Sequence, residues 1–411
     1  MSEPEPLVFN PLDPAFRADP YPLYARLRSE DPVHHVAGRW VLSRYADCVA
    51  MLKDPRASSD VTKAKGYASY LVERSGSKSG KEMLDMRPFL ILDPPDHTRL
   101  RGLVSKAFTP KVVERLRPHI QRLVDGLIDE VAGQGSMEVI EDFAYPLPLT
   151  VISELLGVPP EDRKTFKAWS RDLARGQDPP ETLSPEAAKR SVQAMRSLMD
   201  FFRDLANEHR KRPQDDLLSA LIAAEEEGDR LTEAELLATC VFLLAAGHET
   251  TVNLIGNGLL ALLRHPEQLQ QLRDDPSLAA SAVEEFLRYD PPTQLAWRTA
   301  LEEIEIGGKT IGKGEQIILL LAAANRDPDQ FSDPERLDIT RADNHHLAFG
   351  FGIHFCLGAP LARVEGEIAF RTLVRRLPGL ELGTDTLEYK ENIVLRGLRS
   401  LPVRFNGVLR P

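Results

Sequence analysis

Near its C-terminus the chain reads Phe349-Gly350-Phe351-Gly352-Ile353-His354-Phe355-Cys356-Leu357-Gly358, and a helical pattern follows. One cysteine therefore stands at the mouth of a helix, in a glycine-loosened loop walled by phenylalanines. The positive end of a helix favours a thiolate, and a thiolate in apolar surroundings requires a cation. No second cysteine lies near in sequence, which excludes the clustered ligand patterns of zinc and iron–sulfur sites. A single axial thiolate on haem iron fits instead. A buried structural cysteine beside a glycine turn is the plainer alternative, and it leaves the spacing unexplained.

That spacing, Phe349-x-x-Gly352-x-x-x-Cys356-x-Gly358, resembles the haem-binding loop of the cytochrome P450 superfamily, soluble bacterial type. The resemblance implies haem b with Cys356 as its iron ligand and with Phe349, Gly350 and Gly358 in the cofactor's wall. Gly350 and Gly352 would let the backbone approach the porphyrin, and Leu357 through Arg363 would open the helix whose amides point back at sulfur.

A second match lies upstream. Leu236 to Leu263 spans 28 residues with one formal charge, Glu249, behind a capping box, Thr232-x-x-Glu235. His248, Thr250, Thr251, Asn253 and Asn257 make it a poor membrane span, so a central core helix is expected. Within it, Ala246-Gly247-His248-Glu249-Thr250-Thr251 places a lone acid beside a glycine that weakens the helix and a threonine able to bond back to the carbonyl of Ala246. The stretch resembles the family's oxygen-binding groove. On that resemblance Thr250 and Glu249 are the catalytic pair, Thr250 toward dioxygen and Glu249 relaying protons, with Ala246 and Gly247 against the cofactor and Leu243 and Ala246 toward substrate. The bland role for Glu249 is a salt bridge to another helix, and for His248 a packed histidine.

Three further sets complete the resemblance. Glu285-x-x-Arg288 shares a helix face and, with Arg336, would form a buried structural triad behind the loop. His97 and Arg101, one turn apart, together with Arg298 and His354, match positions that hold haem propionates. Leu243, Ala246, Thr293, Leu295 and Leu395 would line the substrate pocket under a roof of residues 60–90 and 165–195. The thiolate-side face would carry Arg115, Arg117 and Arg363 for an acidic iron–sulfur ferredoxin.

The rest of the chain agrees with this frame. Its 411 residues, 42% hydrophobic, suffice for a large core, and no linker, repeat or charge block divides them, so one domain over 1–411 is expected. The net charge of −11 and the lack of a basic aromatic stripe exclude a nucleic-acid surface. Three scattered cysteines argue against a disulfide framework and for a reducing compartment. Met1 to Pro6 is neither signal peptide nor anchor, which implies a cytoplasmic protein with no membrane contact.

Val33 to Leu42 reads as a hairpin about Ala37-Gly38, with His34-His35 at a solvent-facing strand position. Thr109-Pro110 opens a helix. Helices dominate from Leu147 to Leu263, and strands are expected at 304–306, 316–321 and 400–405. The fold class is mainly α with small β-sheets, β-rich over 30–60, 295–325 and 380–408 and helical over 90–290 and 357–378. The resemblance then implies a haem-thiolate monooxygenase acting on an apolar substrate. It would be monomeric and fed electrons by a separate ferredoxin or flavodoxin with an NAD(P)H reductase. A peroxide-driven peroxygenase and a non-catalytic haem sensor are the alternatives; the intact Glu249-Thr250 pair speaks against both.

Overall fold

Ala37 and Gly38 take φ of 49° and 75°. A left-handed pair of this kind closes a tight hairpin whose twist matches its strands. The computed structural model, which describes residues 7, 9–67, 87–179, 182–226 and 231–410, is mainly helical with small sheets. Met1–Pro6 and the 68–86 part of the expected roof lie outside the described residues.

In chain order, α1 (Pro14–Ala18) and α2 (Tyr21–Glu30) precede β1 (Val33–Val36) and β2 (Arg39–Leu42), then α3 (Tyr45–Lys53) and β3 (Ala57–Ser58). A helical stretch follows: α4 (Asp96–Val104), α5 (Pro110–Glu130), the short strand β4 (Ser136–Glu138), α6 (Pro146–Leu155), α7 (Arg163–Arg175), α8 (Pro185–Lys211), α9 (Leu217–Glu226), α10 (Glu233–Arg264), α11 (Pro266–Asp274) and α12 (Ala279–Tyr289). The chain closes with β5 (Ala296–Ala300), β6 (Ile304–Ile306), β7 (Lys309–Ile311), β8 (Gln316–Leu319), α13 (Leu321–Ala324), α14 (Ala359–Arg376), β9 (Glu381–Leu382) and β10 (Pro402–Arg404). The expected strand at 316–321 stops at Leu319, because Leu321–Ala324 coils into one buried helical turn.

The larger sheet has the order β1-β2-β8-β5-β3, with β2 and β8 parallel and the other pairs antiparallel. A second sheet, β4-β10-β9, ties the end of the chain to its middle. α10 is the axis of the helical part. Thr232 and Glu235 cap its start reciprocally, and at 32 residues it is about 48 Å long. It is long and apolar enough to cross a membrane, yet most of its apolar stretch is buried against the rest of the chain.

Several polar side chains of α10 find partners inside the protein. The Asn257 amide donates to the carbonyls of Asp290 and Arg396 at 3.3 and 3.1 Å, and His248 Nδ1 lies 2.7 Å from the Leu244 carbonyl. Close packing requires the glycine at 258: a Cβ there would stand 2.5 Å from Phe370 of α14 and 2.8 Å from Phe286 of α12. α14, the helix that follows Cys356, is thereby held against α10.

Candidate functional site

The cysteine loop is built by two left-handed glycines. Gly350 and Gly352 take φ of 70° and 72°, a region that favours glycine, and the Cys356 amide donates back to the Phe349 carbonyl at 2.8 Å. A Cβ on Gly352 would also lie 2.9 Å from the Leu52 carbonyl of α3. The turn and α3 together therefore require this glycine. α14 begins at Ala359 with Gly358 as its cap, two residues later than Leu357.

Cys356 is exposed, yet burial pushes its thiol up, while the amides of Gly358 and Ala359 and the charges of Arg101 and Arg363 pull it down. The sulfur is thus exposed yet crowded by protein atoms. The helix end alone does not outweigh burial, so the thiolate needs the cation that the sequence implied. Among the described residues no group of three or more His, Cys, Asp or Glu is placed to hold a metal ion. One sulfur on an iron that brings its other ligands fits that donor set.

Near this sulfur the structure gathers three of the sequence-predicted propionate partners. The rings of His97 and His354 lie 4.2 Å apart, and Arg298 is buried. Neither nitrogen of His97 nor Nδ1 of His354 has a hydrogen-bond partner, and among the described residues no carboxylate forms an ion pair with Arg298. Burial pushes Arg298 down to about 10; burial, helped by Arg298 and His97, pushes His354 down to about 3. Buried donors without acceptors are costly, and their convergence suits an anionic ligand. Arg101, also expected here, donates to the Phe355 carbonyl at 2.6 Å and so braces the cysteine loop. These residues fit a haem with its two propionates.

α10 opens onto the same region. Phe242, Ala246 and Thr250, four residues apart on a helix that is otherwise largely buried, are only half-buried, as is Gly247. Phe242 packs edge-on against Phe89 at 5.4 Å, and Phe89 in turn faces His97. The helix runs unbroken through the expected distortion, with the Thr250 hydroxyl donating to the Ala246 carbonyl at 2.8 Å. Gly247 serves packing: a Cβ would stand 2.8 Å from Ile152 of α6. Sequence reading missed Phe242, which a count at the four-residue spacing from Ala246 would have found.

Glu249 is buried and paired with Lys390 Nζ at 2.5 Å. Burial opposes its charge, but Lys390, with His248 and Arg171, holds the carboxyl below its ordinary value. The partner comes from a C-terminal loop rather than a helix. Of the expected pocket residues, Leu243 is buried in the main core, Leu295 and Leu395 pack with Tyr24 and Ile393 in a second cluster, and Thr293 bridges Leu395.

The triad needs a correction. Glu285 and Arg288, both fully buried, pair at 2.8 Å through two contacts, but the second arginine is Arg341, 3.1 Å from Glu285. Arg336 is exposed and contributes only its carbonyl to Arg288, at 3.0 Å. The chain turns at Asp338, whose amide donates to Glu285, and that turn carries Arg341 back over the acid. Glu284 was also missed: it binds Arg363 at 2.7 Å and His346 at 3.2 Å, and these partners push it down to about 2 against the effect of burial. On the same face Arg117 pairs with Glu114 and Glu367, while Arg115 is exposed. The expected docking surface is therefore of mixed charge.

Glu365, nine residues after Cys356, is buried with neither oxygen hydrogen-bonded. Burial pushes it up to about 8, and the Thr251 hydroxyl beside it does not offset this. A carboxyl raised on folding keeps its full contribution below its unfolded pKa of about 4.3 and loses it as pH climbs to the folded value. Glu365→Gln, which cannot ionise, is therefore expected to gain stability relative to the parent steadily from pH 5 to pH 8. Denaturant melts at both pH values check this, and a difference independent of pH would contradict it.

The chain as a whole is similar to known proteins. The description of the family called Cytochrome P450 matches residues 40–382. Cytochrome P450 CYP107DY1 of Priestia megaterium is 47% identical, over 91% of this chain and 92% of its own length. Vitamin D(3) 25-hydroxylase of Pseudonocardia autotrophica is 45% identical, over 94% of each chain. The crystal structure of myxobacterial cytochrome P450 CYP267B1 in complex with myristic acid is 45% identical and superposes with a TM-score of 0.89, covering 96% of this chain and 98% of that one.

Proposed function

The chain belongs to the cytochrome P450 family, and from that membership we propose how its own residues serve the monooxygenase reaction. The family implies a haem-thiolate cofactor and electrons from redox partners. The protein is a P450 monooxygenase acting on an organic substrate. Our reading is that Cys356 holds the iron of haem b, with His97, Arg298 and His354 as propionate donors and Arg101 bracing the loop. The observation that carries it is the convergence of buried Arg298, which no carboxylate pairs with among the described residues, and of His97 and half-buried His354, with unpartnered ring nitrogens, near an exposed cysteine.

When bound, haem activates dioxygen with two electrons, so that one oxygen atom enters substrate and the other leaves as water. The protein's share is position, exclusion of water and protons. We assign half-buried Phe242 and Ala246 to an apolar substrate wall, with Leu243, Leu295 and Leu395, which pack in the core, and Thr293 as further lining, and such a wall selects an apolar substrate of medium to large size. The vitamin D relative and the myristic-acid complex support that class. Thr250 holds a hydroxyl proton at Oγ1, presently spent on Ala246, and Glu249 is the adjacent acid that can replace it.

Electrons come from a ferredoxin or flavodoxin with an NAD(P)H reductase, docking on the face of Arg115, Arg117 and Arg363. We place the enzyme in the cytoplasm as a monomer: its charge of −11 attracts no nucleic acid, and its one span-like helix among the described residues is taken up by the core.

Thr250→Ala is expected to consume electrons at near the parent rate while product per electron pair drops roughly tenfold and hydrogen peroxide appears. Electron use, product and peroxide measured together check this, and equal yields would remove Thr250 from proton delivery. Oxygen uptake across an apolar substrate panel tests the reaction. Turnover with peroxide alone and none with dioxygen would favour a peroxygenase.

A further inference from the structure

One buried carboxylate fastens the roof to the C-terminal stretch that carries Leu395. Asp178 lies just past α7, and its side chain is fully buried. Its Oδ1 accepts from the backbone amides of Ile393 at 3.0 Å and Val394 at 2.9 Å. Its Oδ2 pairs with Arg175, in the last turn of α7, and that guanidinium also donates to the Thr182 carbonyl at 3.1 Å. Asn392 adds a second tie, its side-chain amide donating to the Ala174 carbonyl at 3.3 Å. Ala174, Leu295, Ile393, Val394 and Leu395 then share one apolar cluster.

The chain before β5 holds the same stretch. The Val394 carbonyl accepts from the Gln294 amide at 2.9 Å, the Arg396 amide donates to the Pro292 carbonyl at 2.7 Å, and Leu395 bridges Thr293. These contacts locate the stretch against residues 292–294; the two bonds to Asp178 locate it against the roof. A buried N–H without an acceptor costs more than its hydrogen bond is worth, so two consecutive amides commit the stretch to that carboxylate. An apolar substrate makes no directional bond with an aliphatic wall. Shape alone orients it, and a misplacement of about 1 Å costs on the order of a hundredfold in rate.

We infer that Asp178 is a positioning residue for regioselectivity: by fixing Ile393, Val394 and Leu395 against the roof, it decides which carbon of an apolar substrate is oxidised. It does so without touching substrate. The acceptor oxygen carries the effect, because it receives both amides, and the negative charge serves Arg175. Asparagine keeps that oxygen; alanine removes it and leaves the two amides without their acceptor.

This rests on the reading that Leu295 and Leu395 line the pocket, and the test keeps the two apart. Parent, Asp178→Asn, Asp178→Ala and Leu395→Phe holoenzymes are given myristic acid, whose chain offers many near-equivalent carbons, and testosterone. The readouts are the distribution of hydroxylated positions, kcat and KM separately, the carbon-monoxide band, and hydrogen exchange at 393–394 by mass spectrometry. Asp178→Ala is expected to move the ratio of the two main products roughly tenfold, to raise KM more than it lowers kcat, to speed exchange at 393–394 and to keep the parental band. Asp178→Asn restores the parental distribution. Leu395→Phe shifts the distribution with exchange unchanged. Should Asp178→Ala not fold, Asp178→Ser, with a shorter side chain and a single oxygen, takes its place with the same expected shift. A parental distribution despite faster exchange would overturn the proposal, leaving Asp178 a brace of the fold. So would equal shifts in the alanine and asparagine variants. If Leu395→Phe changes neither affinity nor distribution, the pocket reading falls. A parent that oxidises neither probe contradicts the apolar-substrate reading and overturns the proposal with it.

Discussion

Cys356→Ser is expected to fold and to hold haem, yet to lose turnover below detection and to give a reduced carbon-monoxide complex without the red-shifted band of thiolate ligation. The residue is exposed, so exchanging sulfur for oxygen disturbs little packing. The surroundings that favour an anion remain: the amides of Gly358 and Ala359 and the charges of Arg101 and Arg363. What is lost is the soft, electron-rich donor that drives oxygen–oxygen cleavage. A serine hydroxyl, far less acidic than a thiol, does not replace it. The carbon-monoxide difference spectrum and substrate oxidation are the two readouts. A variant with the parental band would mean that another side chain holds the iron.

Glu285→Ala is expected to cost about 3–5 kcal/mol and to yield protein that loses its haem. Glu285 accepts from Arg288 twice, from Arg341, from the Asn344 amide and from the Asp338 backbone amide. Removing it strands a fully buried arginine. The damage travels by a short route. Arg288 donates to the Asn325 carbonyl, the Asn325 side chain accepts from the Leu347 amide, and the Leu347 carbonyl accepts from Gly350 at the start of the cysteine loop. Arg288→Lys is expected to fail nearly as badly. One ammonium cannot reproduce a guanidinium that reaches Glu285 and the carbonyls of Asn325, Pro334 and Arg336 together. Denaturant melts and haem retention on a sizing column check both variants. A loss of under about 1 kcal/mol would put the cluster among ordinary surface pairs.

What could be read from sequence is what local pattern encodes. The hairpin at 33–42 follows from its left-handed turn, α5 from Thr109-Pro110, and α10 from its capping box and its run of apolar residues. The cysteine loop shows in its glycines, and Gly352 is also held to glycine by Leu52 of α3. Of the four propionate candidates, His97 and His354 keep unpartnered ring nitrogens, Arg298 is buried without a carboxylate partner among the described residues, and Arg101 braces the loop. The parts that escaped are contacts between residues remote in sequence. Lys390 lies 141 residues from Glu249, and Arg363 lies 79 from Glu284. No periodicity predicts such pairs.

The error at Arg336 has the same origin, since the turn at Asp338 decides which arginine reaches back. Glu365 did leave a signal. Val364, Gly366, Ile368 and Ala369 surround it in an apolar helical stretch, and an acid on a face of that kind is buried or functional.

All of this hangs on sulfur bound to iron. Iron-edge X-ray absorption of the purified, haem-loaded parent protein measures that bond directly. A single sulfur scatterer in the iron's first coordination sphere, absent from Cys356→Ser, is the expected result; a sphere made up of nitrogen and oxygen alone in the parent would contradict the account.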